Sequence, residues 1–178
     1  VSAATGIAAL AALSRGLSGK PKLGNFYRDL LNAIFLVLLP VAAVVAVLLV
    51  LGGIPMTFSG AAAAETLEGV AQTIARGPVA AFVAIKQLGT NGGGFFGPNS
   101  THPFENPTFF TNLVECISIL LIPMASVWMF GRITGRIRHA SVIFAVMAVI
   151  LIGTVSLAVY FESAPTAVIS CRRDRDGG

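Results

Sequence analysis

The chain has 178 residues, is 55% hydrophobic and only 11% charged, and carries a formal net charge of +4. Soluble domains hold about 25% charged and roughly 45–50% apolar residues. The composition therefore excludes a disordered segment, a nucleic-acid-binding domain and a disulfide scaffold, and it argues against a soluble enzyme.

The first fourteen residues are uncharged, rich in Ala and Leu, and end at Arg15. They are too short to cross a bilayer, and no basic region precedes them as a signal peptide requires. Val1 is therefore read as a cut inside a longer protein, with residues 6–14 as the tail of a membrane helix. No charge occurs from Leu30 to Ala64, and Leu30–Leu51 is almost wholly apolar. A membrane-spanning helix needs about 20 such residues, so this is the first full span. Residues 57–76 are small and polar, with Glu65 and Glu68, and are expected to form an outer loop or short helix.

Gly77-Pro78 then introduces an apolar stretch, Val79 to Leu88, with Pro suited to a helix start. Such a helix covers half a membrane and fits a re-entrant segment, a surface amphipathic helix being the alternative. Val79, Phe82, Val83 and Ile85 cover much of its surface. Leu113–Gly131 and Ala140–Phe161 complete the set of spans. The positive-inside tendency orients them. Arg15, Lys20, Lys22 and Arg28 mark one cytoplasmic loop, Arg132, Arg136 and Arg138 another, and 52–112 lies outside with only Arg76 and Lys86. The same count places Ser170–Gly178 outside despite its arginines, and this tail is read as non-native sequence. Cys116, Cys171, His102 and His139 show no metal-ligand spacing.

Gly89-Thr90-Asn91-Gly92-Gly93-Gly94-Phe95-Phe96-Gly97 follows the half-length helix. Glycine reaches backbone conformations closed to other residues, so such a run can turn consecutive carbonyls the same way. Irregular backbone at membrane depth is tolerated only inside protein or along a water-filled path. A short helix followed by a glycine-rich strand between two spans is the plan of a potassium-channel filter, in which carbonyl rings replace the ion's water. The helix would also aim its negative C-terminal end into the membrane, favouring a cation. A phosphate loop is disfavoured because Lys86 precedes the glycines; a flexible outer loop is the stronger alternative. Ala3-Ala4-Thr5-Gly6 is a faint echo of this turn.

At these residues the sequence resembles the potassium-binding A subunit family (KdpA) of the Kdp potassium-transporting P-type ATPase. Val1–Ala8 is similar to its second filter loop. Leu23-Gly24-Asn25-Phe26 and Asp29-Leu30 are similar to the entry of the next span. Gly77–Ala80, Ala84-Ile85-Lys86 and Gly89–Phe96 resemble the third pore helix and filter, and Ser100, His102–Thr108 and Thr111-Asn112 the stretch behind it. Phe130-Gly131-Arg132 and Gly135 resemble the following cytoplasmic turn. The sequence departs from the family pattern at Ala81-Phe82-Val83, at Gly97-Pro98-Asn99 and at Arg136.

The resemblance implies an all-α integral membrane fold of repeated span–pore loop–span units, of the potassium-channel-like superfamily. Residues 1–16 would end the second repeat, 17–29 form a cytoplasmic loop, and 30–131 form the third repeat. Residues 132–139 would be a second cytoplasmic loop, 140–162 the first span of the fourth repeat, and 163–178 a non-matching tail. The first and fourth filters are absent, so this chain alone would not close a pore. The ion-coordinating set, mainly through carbonyls, is expected to be Thr5, Gly6, Thr90, Asn91, Gly92, Gly93 and Gly94.

The implied function is extracellular K+ binding and translocation in an ATP-driven uptake complex of the bacterial inner membrane. The resemblance further implies a P-type ATPase catalytic subunit (KdpB) as partner, holding ATP and Mg2+, with small accessory subunits (KdpC, KdpF). This chain carries no ATP-hydrolysing site and no cofactor of its own, and it contacts lipid but not nucleic acid. The alternatives are a stand-alone potassium channel or Trk-like transporter subunit, and a non-transporting membrane scaffold. Lys86 is expected to neutralise the helix dipole, Glu105 and His102 to organise the outer loop, and Glu115 to lie at the membrane interface. Trp128 and Tyr27 are expected as interface anchors.

Overall fold

The computed structural model describes residues 1–163; the expectations for Ser170–Gly178 and for nearly all of the 163–178 tail lie outside them. The element order is α1 (Ser2–Leu17), α2 (Phe26–Asn32), a π-helical turn (Ala33–Leu38) and α3 (Leu39–Leu51). These are followed by β1 (Ala62–Glu65), β2 (Ala71–Ile74), α4 (Val79–Gly89), a 3-10 turn (Pro98–Ser100), α5 (Phe109–Thr134) and α6 (Ile137–Ser163).

Among the described residues three continuous helices are long and apolar enough to cross a membrane: Phe26–Leu51, Phe109–Thr134 and Ile137–Ser163. Each contains one of the three apolar runs, and each begins a few residues before it. The caps explain the early starts. Asn25 accepts a hydrogen bond from the Arg28 amide and opens α2. Thr108 and Thr111 form a reciprocal capping box that opens α5. In the first span the helix widens to a π turn directly before Pro40, whose missing N–H interrupts the regular ladder. Pro123 lies inside α5 for the same kind of interruption.

The loop between α1 and α2 is closed by an ion pair. Arg15 reaches Asp29 with both terminal nitrogens and also donates to the Leu23 carbonyl at 2.9 Å. α5 and α6 turn back on each other at the left-handed Gly135 and pack closely at Gly131, where an added Cβ would press on the Ala140 methyl.

The expectation of an all-α chain needs correction. Residues 57–76 are neither loop nor short helix throughout, because β1 and β2 pair antiparallel, with Ala62 opposite Ile74 and Glu65 opposite Ala71. Alanine tracts carry no strong strand signal, so the pairing follows from the turn. Thr66 closes it with its side-chain oxygen on the Val70 amide (3.1 Å), and Gly69 sits in the left-handed region with its amide on the Thr66 carbonyl. Among the described residues the fold is mostly helical, with one small hairpin.

The core sits around α4. Val79, Ala80, Val83, Ala84 and Leu88 are buried against Val45, Leu49 and Ile54 of the first span's end. The entry of α4 is tied to that end by two backbone bonds, Ala80 to the Pro55 carbonyl and Thr57 to the Gly77 carbonyl, each 3.1 Å. A helix too short to span is thus packed among spanning helices rather than laid on a surface, which satisfies the demand that interrupted backbone be enclosed by protein. Phe82 and Ile85 remain exposed on its far side. α6 is the opposite case: within its apolar window nothing is buried.

Candidate functional site

α4 ends where Thr90 adopts a left-handed conformation (φ 51°), rare for a β-branched residue. Its last turn is therefore stopped abruptly, with carbonyls and the negative end of the helix directed at the space beyond. That space is a cleft of about 380 Å³ lined by Gly89, Thr90 and Asn91, by Gly6 and its neighbours on α1, and by Ile122, Pro123 and Ser126 of α5. Three separate elements therefore meet at the C-terminal end of the short helix.

The structure brings Gly6, Thr90 and Asn91 of the expected set together at this cleft. The other four residues are placed elsewhere. Thr5 and Gly6 are not in a turn: α1 begins at Ser2, and Thr5 returns both its amide (2.9 Å) and its hydroxyl (3.0 Å) to the Val1 carbonyl. Thr5 is exposed and does not line the cleft. Carbonyls inside a helix are engaged by the amide four residues on, so the expected contribution of Thr5 and Gly6 through free main-chain carbonyls is corrected to a helical surface for Gly6. Gly92, Gly93 and Gly94 follow the cleft rather than line it, since the chain turns away at Gly92 with φ +70°.

Behind the glycine run lies a buried polar network. Lys86 and Gln87, from the last turns of α4, are each 5% exposed. Lys86 Nζ donates to Glu105 Oε2 at 2.9 Å and to Ser100 Oγ at 2.5 Å. Gln87 Nε2 reaches Ser100 Oγ at 3.1 Å and also Glu115 Oε2. Glu105, fully buried, turns its other oxygen to the backbone: Oε1 accepts from the Phe95 amide at 2.5 Å and from the Phe96 amide at 2.8 Å. Burial pushes the Glu105 carboxyl up, but the Lys86 ammonium and the amides of Phe96 and Phe95 outweigh it and hold the group below the ordinary glutamate range.

The loop's exterior is aromatic. Phe96 stacks on His102 at 4.5 Å between ring centroids and meets Phe95 edge-on at 4.9 Å. Phe104 closes the cluster against both Phe96 and His102. At Gly94 an added Cβ would collide with the Gly97 carbonyl and stand 3.0 Å from Glu105 Oε1, so the tight fold of the loop over the carboxylate requires glycine there.

Two roles read from the sequence change. Lys86 is a buried ion-pair partner rather than only a cation at a helix end. Glu115 is not interfacial: it is 3% exposed and bonded to Gln87, and its Oε1 has no hydrogen-bond partner among the described residues. Its position two turns into α5, facing α4, was obscured because the sequence places the carboxylate near the end of an apolar run. The organising role of Glu105 matches its geometry. Among the described residues no cluster of three His, Cys, Asp or Glu side chains is arranged to hold a metal ion.

Relatives are similar in sequence along most of this chain. A protein of Leptospira interrogans (serogroup Icterohaemorrhagiae) is 50% identical over 167 residues, covering 92% of this chain and 30% of its own length. One of Pseudomonas entomophila is 51% identical over 178 residues, 98% of this chain and 31% of its own. One of Caldanaerobacter subterraneus is 45% identical over 170 residues, 95% and 30% respectively. Each is named the potassium-binding subunit of a potassium-transporting ATPase, and the chain spans about 30% of their length. The family KdpA, described as the potassium-transporting ATPase A subunit, matches residues 1–176, most of the tail included. With the short helix, the glycine loop and the spanning helices all inside that match, this chain belongs to the KdpA family.

Proposed function

We propose that this chain is part of a potassium-binding subunit that takes K+ from the outer face of a bacterial inner membrane, in a complex driven by a P-type ATPase. K+ is the transported substrate. ATP and Mg2+ would be handled by the catalytic partner KdpB, with KdpC and KdpF as accessory subunits. The fold would be one of repeated span–pore loop–span units, residues 30–131 forming one of them.

The observation that carries the reading is the end of α4. A half-membrane helix, enclosed by spans, stops at a strained Thr90 and releases Asn91 and three glycines beside a cleft shared with Gly6. Carbonyls and a helix C-terminus favour a dehydrated cation. Thr90, Asn91, Gly92, Gly93 and Gly94 are the proposed coordinating segment, with the helical surface at Gly6 facing it across the cleft.

Gly93→Val in the full-length subunit, within its intact complex, tests this. A Cβ at Gly93 meets nothing within 4 Å, so the variant reports on ions rather than on packing. The expected result is a rise of about tenfold or more in the K+ concentration that half-saturates ATP hydrolysis, with weakened discrimination against Na+. That figure corresponds to about 1.4 kcal/mol, roughly one lost coordination contact. An unchanged K+ response would overturn the reading. K+ uptake without any K+-stimulated ATP hydrolysis would favour a stand-alone channel or Trk-like transporter instead.

A further inference from the structure

We propose that Glu105 is a positioning residue for ion selectivity: paired with Lys86, it sets the backbone conformation of the glycine loop from behind. The proposal rests on reading that loop as the ion-binding segment.

The loop has little else to hold it. Between Asn91 and Gly97 no backbone amide bonds to a backbone carbonyl elsewhere among the described residues. The chain there passes through left-handed conformations at Thr90, Gly92, Asn99 and Ser100. Such conformations persist only where the surroundings over-determine them. One carboxylate does most of this. Glu105 Oε1 gathers the consecutive amides of Phe95 and Phe96, immediately after the three glycines, while Oε2 is held by Lys86 at 2.9 Å. Lys86 also grips Ser100 at 2.5 Å, at the far end of the loop. The end of α4, the glycine run and the returning segment are thereby joined through two side chains that lie outside the glycine run itself.

The chemistry demands a carboxylate. An ionised carboxylate is an acceptor on every side, so it can serve two amides and an ammonium together. A glutamine in its place keeps one acceptor and turns an NH2 toward either the ammonium or the two amides. Facing donor to donor, it releases one end of the loop. Neutralising both partners repairs this, because a glutamine at 86 offers a carbonyl to the NH2 of a glutamine at 105 and leaves Oε1 for the two amides.

The test uses Glu105→Gln, Lys86→Gln and the double variant in the full-length subunit within its intact complex. Half-saturating K+ and Rb+ for ATP hydrolysis are measured beside the yield of assembled complex. Glu105→Gln is expected to raise half-saturating K+ about tenfold and to narrow the K+/Rb+ ratio. The double variant is expected to recover most of that ratio. A wild-type ratio in Glu105→Gln overturns the proposal, as does a double variant as unselective as the single one. If Glu105→Gln does not assemble, the double variant alone decides: selective supports the proposal, assembled but unselective sinks it. Failure of both to assemble makes the pair a folding requirement and also overturns it. Gly93→Val separates this from the parent reading. If Gly93→Val shifts the K+ response and Glu105→Gln does not, only the positioning role fails; if neither shifts it, the ion-binding reading fails.

Discussion

Two segments leave the membrane-spanning helices on the same side, between the first long span and α5, and they are built by opposite means. Residues 57–76 pair their own backbone in the β1–β2 ladder and leave most side chains in the open. Residues 90–105 pair little backbone, hold three non-glycine residues (Thr90, Asn99 and Ser100) in left-handed conformations, and are fixed by buried side chains from α4 and from the loop's own far end. The first segment is specified by local hydrogen bonding and is indifferent to most side chains. The second is specified by a few side chains and by the absence of a Cβ. On the proposed ion-binding reading, a segment that presents its carbonyls to an ion cannot spend them on a ladder, so its shape is imposed from outside.

The sharpest way to break the contrast is Gly94→Ala. The new methyl would collide with the Gly97 carbonyl, which is backbone and cannot swing aside. The expected destabilisation is about 3 kcal/mol or more, at the upper end of overpacking costs. Thermal unfolding of the purified full-length subunit measures it. A loss under about 1 kcal/mol would mean the loop is free to re-form elsewhere.

Next in size is Lys86→Met. It leaves the Glu105 carboxylate buried without its cation, and breaking a buried pair from one side costs about 3–5 kcal/mol. Because part of that is relieved if Glu105 takes up a proton, the net loss should fall below that for Gly94→Ala and shrink at acid pH. A Lys86→Met variant as stable as wild type at neutral pH would show that the pair contributes nothing.

The pH dependence of the intact pair follows from the direction of the Glu105 shift. Its pKa in the folded protein lies below that of a free glutamate. The stabilisation is therefore fully present above the ordinary glutamate range and is lost as pH falls through the lower, folded-state value. The stability difference between wild type and Glu105→Gln is expected to stay constant from neutrality down to that range and to collapse only below it. A collapse near pH 6, well above the roughly 4.3 of an ordinary glutamate, would mean that burial outweighs Lys86 and the two amides.

Much of the plan was legible in the sequence for simple reasons. Uninterrupted apolar runs have little choice but to span, and Val79–Leu88 is too short to do so while being too apolar to sit in water. The glycine run advertised its own irregularity. What could not be read was pairwise. Lys86, Ser100, Glu105 and Glu115 are separated by many residues and meet only because α4 is driven into the space between α3 and α5. Nothing in the spacing of Glu115 distinguishes a buried carboxylate from an interfacial one. The hairpin was missed because alanine-rich strands look like any small-residue loop until the Thr66–Gly69 turn closes them. Thr5 and Gly6 look like a turn beside Gly92, yet without a glycine run the backbone there completes a helix.

The smallest expected effect is in the hairpin, and it sharpens the comparison from the other side. Leu67 stands fully exposed at the tip of the turn, and the bonds that close the turn come from Thr66, Gly69 and Val70. Leu67→Ser removes no contact and no hydrogen bond, so its effect on unfolding should stay within about 0.5 kcal/mol, with half-saturating K+ unchanged. A large exposed apolar side chain at a loop tip has one other use, which is to be covered by something else in the assembled protein. If Leu67→Ser left the isolated subunit as stable as wild type but lowered the yield of the assembled complex, the hairpin would be a docking element. Its tolerance would then belong to the free chain alone, and the division between a locally specified segment and an externally imposed one would hold only before assembly.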